Sequence, residues 1–245
     1  MNTFNLEKIT RGTIVAIGGG EIGRKKKLPD GSVKIYPIET LRIDQEIVQL
    51  SGKENPKLLF IGTASDDSPA YIDAVREHFG QTLGCIIDTL NLIAEDVPDS
   101  VIAEKIKSAD IIYVGGGPNM THMLVLWREK GLNHLLAEAL DRGCILSGLS
   151  AGACCWFEWV DNMDDIDNLK DIDLIPCLGF LKGIMVPHYD KLSSEDKSAI
   201  DRLLREKGKS GYGIEEGCAL IFTPNGSYSL SSKEGATVHP IPVGA

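Results

Sequence analysis

Gly148-Leu149-Ser150-Ala151-Gly152 reads G-x-S-x-G, after an apolar run at 144–147 and before a run of small residues. Strand, sharp turn and helix is the context a nucleophile elbow needs. Small flanking residues let the backbone strain, the serine Oγ is exposed, and the next N–H points at a developing oxyanion. The same residues also suit a plain strand-to-helix turn in which Ser150 caps the helix. A serine nucleophile needs a base, and the base needs an orienting group. Five histidines compete. His78 sits on a helical pattern beside Phe79 as a surface or packing residue. His122 and His134 lie in helical patterns without a second metal ligand at useful spacing, and His239 is in a proline-rich tail. His188, in Val186-Pro187-His188-Tyr189-Asp190, follows an apolar run and is stiffened by Pro187. Such a loop can hold a catalytic imidazole, or merely a hydrogen-bonded histidine. Carboxylates that could orient it lie between Ser150 and His188, in the acidic segment 156–173 that holds Asp161, Asp164, Asp165, Asp167, Asp171 and Asp173. The order serine, acid, histidine is that of α/β-hydrolases, whose path from elbow to histidine is usually much longer.

Two glycine-rich loops also follow strand patterns. Gly18-Gly19-Gly20-Glu21-Ile22-Gly23 matches G-x-G-x-x-G, with Glu39 where a ribose-binding acid would stand. A pyrophosphate site needs a helix opening at the glycines. Here Arg24-Lys25-Lys26-Lys27-Leu28-Pro29-Asp30-Gly31 follows, with a turn signal and no apolar periodicity, so a tight turn is the better reading. Gly115-Gly116-Gly117-Pro118-Asn119 precedes a helical pattern and is either a turn or an anion cradle.

The elements that must position these residues alternate. Apolar runs at 13–17, 57–61, 85–87, 111–114 and 144–147 mostly lack polar alternation, as expected of parallel strands covered on both faces. Helical patterns fall at 38–49, at 68–79 with Pro69 in its first turn, at 101–107, and at 121–142 as two helices parted by Gly131. This predicts an α/β fold, a doubly wound and mostly parallel sheet. Beyond Ser150 the expectation is a loop-rich acidic segment over 156–173, an apolar stretch at 178–187 and a helix near 194–207. A hairpin of strands at 218–222 and 228–230 then turns at Pro224-Asn225-Gly226. With no repeat or linker, residues 1–245 read as one domain.

The 245 residues carry 25 Lys plus Arg against 35 Asp plus Glu, a net charge of -10, which disfavours a duplex nucleic-acid partner. The basic run 24–27 reads as a solvated loop. Six cysteines without a C-x-x-C pair suggest a reducing compartment with few or no disulfides. No signal peptide or membrane-length apolar stretch is visible, so a cytoplasmic protein without a membrane partner is expected.

The GGGE loop, Thr63–Asp67 (TASDD), Tyr113–Gly117 (YVGGG), Gly148–Glu158 (GLSAGACCWFE), Pro187–Asp190 (PHYD) and Gly213–Leu220 (GIEEGCAL) together resemble peptidase family S51, the aspartyl dipeptidases and cyanophycinases. The resemblance runs over most of the chain. It implies a fold similar to class I glutamine amidotransferases, a flavodoxin-like three-layer arrangement, with serine in place of cysteine at the elbow. It further implies a Ser-His-Asp peptidase with Ser150 as nucleophile, His188 as base and Asp164 as orienting acid, Asp165 being the close second. Gly117 and Ala151 N–H groups would form the oxyanion hole, and Gly116 and Asn119 would contact substrate. The substrate would be a short peptide, with N-terminal aspartate or a β-linked aspartyl-arginine unit, bound through a cation such as Arg24 or Lys182. No cofactor or metal is implied, and a homodimer is one oligomer to test. Pro118 departs from the family pattern, standing between the glycines and Asn119 like a one-residue insertion, and it has no N–H to donate. A non-catalytic binding protein and a thiol amidotransferase are the competing readings.

Overall fold

A computed structural model describes residues 12–163 and 168–243. In chain order the strands and helices are β1 (Thr13–Ile17), β2 (Lys25–Lys27), β3 (Val33–Ile35), α1 (Leu41–Leu50), β4 (Lys57–Ile61), α2 (Pro69–Val75), β5 (Ile86–Leu90), α3 (Asp99–Ser108), β6 (Ile111–Val114), α4 (Met120–Glu129), α5 (Leu132–Asp141) and β7 (Ile145–Leu149). Then follow α6 (Ala151–Cys154), β8 (Phe157–Asp161), β9 (Leu174–Pro176), β10 (Leu181–Val186), α7 (Ser194–Lys207), β11 (Gly211–Ile214), β12 (Cys218–Thr223), β13 (Gly226–Ser231) and β14 (Val238–Ile241).

The main sheet runs β13-β12-β1-β7-β6-β4-β5. From β1 to β5 every pairing is parallel, and β12 and β13 extend it antiparallel. Alternate residues of β1, β4, β6 and β7 enter opposite layers. Val15 and Ile17 meet Ile43, Ile47 and Phe79 on the α1–α2 side. Ile14 and Ala16 meet Ile102, Trp127 and Leu136 on the α3–α5 side. Both faces are therefore apolar, which is why these strands show no alternation in sequence. Each fully buried Ile or Leu adds roughly 1.5–3 kcal/mol relative to exposure, and both layers fix where the strands end.

Several local expectations hold. Pro69 opens α2, Gly131 at φ 69 separates α4 from α5, and β12 and β13 form the terminal hairpin. The helix near 194–207 is α7, closed by a reciprocal Ser193–Asp196 capping box and ended by Gly208 at φ 62. Others are corrected. The helix read over 68–79 leaves α geometry after Val75 and widens into a π-helix, Arg76–Thr82. The basic run is no plain loop, since Lys25–Lys27 pairs with Val33–Ile35 in an antiparallel hairpin. The acidic segment contains β8, a strand that its charge conceals.

That strand belongs to a second sheet, ordered β14-β11-β10-β8-β9, which the sequence reading lacks. Its centre is parallel, β10 lying between β8 and β11. Ile184, Val186, Ile200 and Leu204 pack α7 against it. No helix among the described residues is long and apolar enough to cross a membrane.

Candidate active site

Ser150 stands between β7 and α6 with φ 55 and ψ -122, a conformation that L-residues seldom adopt. The glycines around it have steric reasons. A Cβ on Gly148 would stand 2.0 Å from the Gly152 carbonyl oxygen, and one on Gly152 would stand 2.2 Å from the Val114 oxygen. The turn is thus locked between β6 and α6, and the Ser150 N–H donates to Ile17 O at 3.0 Å across to β1. The hydroxyl is left to point outward, into a cavity of about 610 Å³ that Ser150 and His188 both line.

His188 follows β10 and also has a positive φ, 49°. Its Nε2 is 2.9 Å from Ser150 Oγ, and its Nδ1 is 3.1 Å from Glu216 Oε1. Glu216 follows β11, the parallel neighbour of β10, so acid and imidazole leave adjacent strand ends together. Lys191 Nζ is 3.2 Å from the other Glu216 oxygen. Four non-glycine residues with positive φ are described, Asp66, Asp67, Ser150 and His188. Two of them are the hydrogen-bonded pair itself, and strain of roughly 1–3 kcal/mol each is the kind that surrounding structure holds in place at working sites.

The first glycine-rich loop is the backing of this histidine. The His188 N–H donates to Gly18 O at 3.0 Å, and a Cβ on Gly19 would stand 2.4 Å from the imidazole. No helix opens after it, since the chain passes into the β2–β3 hairpin, so it offers no helix N-terminus to a pyrophosphate. The second loop lies on the other side of Ser150. A Cβ on Gly117 would stand 2.1 Å from Ala64 O, and one on Gly116 would stand 3.1 Å from Ser150 Cβ. The N–H groups of Gly117 and Ala151 have no protein acceptor among the described residues. Burial pushes the Tyr71 phenol up, and the nearby Gly116 backbone opposes that shift. Pro118 lines the cavity, whereas Asn119 turns away, its amide 2.8 Å from Asp66 Oδ2.

Of the acids expected to orient the imidazole, Asp164 and Asp165 lie outside the described residues. The carboxylate seen at Nδ1, Glu216, was not singled out from sequence. Its signal was the Glu215-Glu216 pair just before the strand pattern at 218–222, and each of the pair takes a histidine, since Glu215 Oε1 is 2.8 Å from His239 Nε2. His78 is neither at the surface nor near Ser150; it is buried 2.8 Å from Asp44. His122 and His134 are exposed. All six cysteines are free, and burial pushes the Cys155 thiol well above its ordinary range. Among the described residues no three His, Cys, Asp or Glu side chains gather as a metal site needs.

The arrangement places a serine hydroxyl against an imidazole, with backbone N–H groups nearby, in a cavity that Cys154 also lines. Comparison with known proteins points to peptidases. The model of peptidase family S51 matches residues 33–228. The uncharacterized peptidase YgaJ of Bacillus subtilis strain 168 is 37% identical over 232 residues, covering 93% of this chain and 91% of its own length. The crystal structure of a peptidase from an acI-B1 Actinobacterium superposes with a TM-score of 0.72 at 20% identity, over 95% of this chain and 91% of that one. A protein of Listeria monocytogenes EGD-e shares the fold at a TM-score of 0.66 and 17% identity, over 90% and 98% of the two chains.

Proposed function

The chain belongs to peptidase family S51, and on that premise we propose that it is a serine-type peptidase of short peptides whose triad is Ser150, His188 and Glu216. The observation that carries this reading is the pair of contacts on one imidazole, 2.9 Å to Ser150 Oγ and 3.1 Å to Glu216 Oε1. Glu216 takes the role that the family resemblance had assigned to Asp164.

In this mechanism His188 carries its proton on Nδ1, donated to Glu216, and accepts the Ser150 hydroxyl proton at Nε2. Oγ attacks the peptide carbonyl. The N–H groups of Gly117 and Ala151 donate to the resulting oxyanion, and loss of one such donor costs on the order of 10²–10³ in turnover. The imidazolium then gives its proton to the leaving amine. Water, deprotonated by the same nitrogen, releases the acyl group and restores the serine. A thiol mechanism is the weaker reading, because burial raises Cys155 away from the thiolate state and Cys154, which lines the cavity, has its Sγ 3.5 Å from Met185 O, whereas it is Ser150 that stands 2.9 Å from His188.

The test is covalent. A fluorophosphonate should add its mass to Ser150 in the parent and fail to label Ser150→Ala or His188→Ala protein. Labelling that persists in Ser150→Ala, or none in the folded parent, removes the serine-peptidase reading and favours a non-catalytic binder with the family's fold.

A further inference from the structure

The cavity has two unlike arms. Toward the α1–α2 side it is lined by polar groups, among them Glu21, Arg24, Ser65, Ser68 and Tyr71. Toward the second sheet it is mainly apolar, with Val160, Met163, Ile175, Val186, Leu192 and Ile200 beside the polar Asp161 and Asn162. Val160 and Ile175 face each other across β8 and β9 and pack toward the main-sheet core, whereas Val186 and Ile200 belong to the core that seats α7, so the apolar lining of this arm comes from both faces of the second sheet at its end. Arg24 is the one Lys or Arg among the lining residues described. It is engaged already: Nη2 is 2.8 Å and Nε is 3.3 Å from the two Glu21 carboxylate oxygens, and the guanidinium lies over the Tyr36 ring. Lys182 does not line the cavity. An acidic side chain would therefore meet no uncompensated cation, while a large apolar one would replace water against six apolar residues.

We infer that the substrate carries a bulky apolar side chain, of the leucine or phenylalanine class, in the arm formed by the second sheet, and that acidic side chains are poor occupants of this cavity. The inference rests on the serine-peptidase reading above. Each methylene buried is worth several-fold in selectivity, so leucine or phenylalanine should exceed alanine at that position by about tenfold or more.

The experiment is hydrolysis of a dipeptide panel by purified full-length protein, read by mass spectrometry: Leu-Ala, Ala-Leu, Phe-Ala, Ala-Phe, Ala-Ala, Asp-Ala and Ala-Asp. Ser150→Ala serves as the background. For at least one orientation the apolar peptide should have a kcat/KM about tenfold or more above Ala-Ala and both aspartyl peptides. Ile175→Trp, on a half-buried edge strand and checked for folding by circular dichroism, should shrink the Phe-to-Ala ratio by about tenfold. Glu21→Gln should raise the Asp-to-Ala ratio by releasing Arg24. Ser150-dependent cleavage in which aspartyl peptides match or exceed the apolar ones overturns the inference and leaves the peptidase standing. No Ser150-dependent cleavage of any peptide overturns the inference, and the peptidase reading then stands or falls on fluorophosphonate labelling.

Discussion

Asp190 Oδ1 accepts the Glu216 backbone N–H at 2.9 Å, so the residue two positions after His188 holds the carboxylate that faces His188. Burial alone would raise the Asp190 carboxyl. The Glu216 N–H, with Lys191 and Lys233 nearby, outweighs it and keeps the group below its ordinary range. One four-residue turn thus supplies both an imidazole and the anchor of its partner.

Replacing Glu216 by Gln keeps the size and removes the negative charge that matches the imidazolium. Turnover should fall about 10²–10⁴-fold, as for loss of the orienting acid in a triad, with KM little changed. Measured beside Asp164→Asn and Asp165→Asn, Glu216→Gln should be the most damaging. A larger loss in either aspartate variant would return the role to the acidic segment.

Asp190 acts only through Glu216, so its variants should separate by hydrogen-bonding capacity. Asp190→Ala should lower kcat about tenfold, the order of one lost hydrogen bond to a charged group. Asp190→Asn retains an acceptor for the Glu216 N–H and should recover most of it. The carboxylate's anchoring is fully present above the ordinary aspartate pKa and is lost as pH falls through its lowered native value. Equal kcat for the Ala and Asn variants would contradict the positioning role.

Gly19 tests the packing behind the histidine. An alanine methyl there would need the place of the imidazole edge, 2.4 Å away. Gly19→Ala should therefore cost about 10²-fold or more in kcat/KM, because an angstrom of displacement breaks the near-attack geometry. Fluorophosphonate labelling of Ser150 should slow with it. A variant with parental kinetics would mean that His188 is not held against this loop.

These assignments show where sequence was informative. Ser150 was legible because a strand, a sharp turn and small residues are all local features. His188 was legible only as one of several histidines until its motif was matched to a family. Glu216 was hidden, since its proximity depends on the parallel register that sets Val186 opposite Gly213, between segments far apart in sequence. The second sheet escaped for a similar reason. Phe157–Asp161 lies in an acidic stretch, and Gly211–Ile214 carries two glycines, so neither has the apolar run that marked β1 or β6.

Asp44 gives a pH test away from the cavity. It is fully buried, accepts from Thr40 Oγ1 at 2.7 Å and lies 2.8 Å from His78 Nε2. Burial raises its pKa, and His78 and Thr40 oppose that shift. A raised native pKa means that the stabilisation is full below the ordinary aspartate value and is lost as pH rises through the native one. Urea midpoints of the parent relative to Asp44→Asn should therefore decline from about pH 4 upward. A difference that stays flat or grows toward neutrality would show that the pair is held as carboxylate and imidazolium instead.

Ser150 carries the strain directly. At φ 55 and ψ -122 a Cβ is penalised and glycine is not. Ser150→Ala and Ser150→Gly both remove the hydroxyl and keep the N–H bond to Ile17 O, so they differ mainly in backbone terms. Glycine loses about 0.5–1 kcal/mol more chain entropy on folding, yet it relieves strain of about 1–3 kcal/mol. The Gly variant should be the more stable of the two, by about 1 kcal/mol in urea unfolding, although both are inactive. If Ser150→Ala proved equally stable or more so, the turn would not be strained. The exposure of the hydroxyl would then need another cause than the clamp between Gly148, Gly152 and β6.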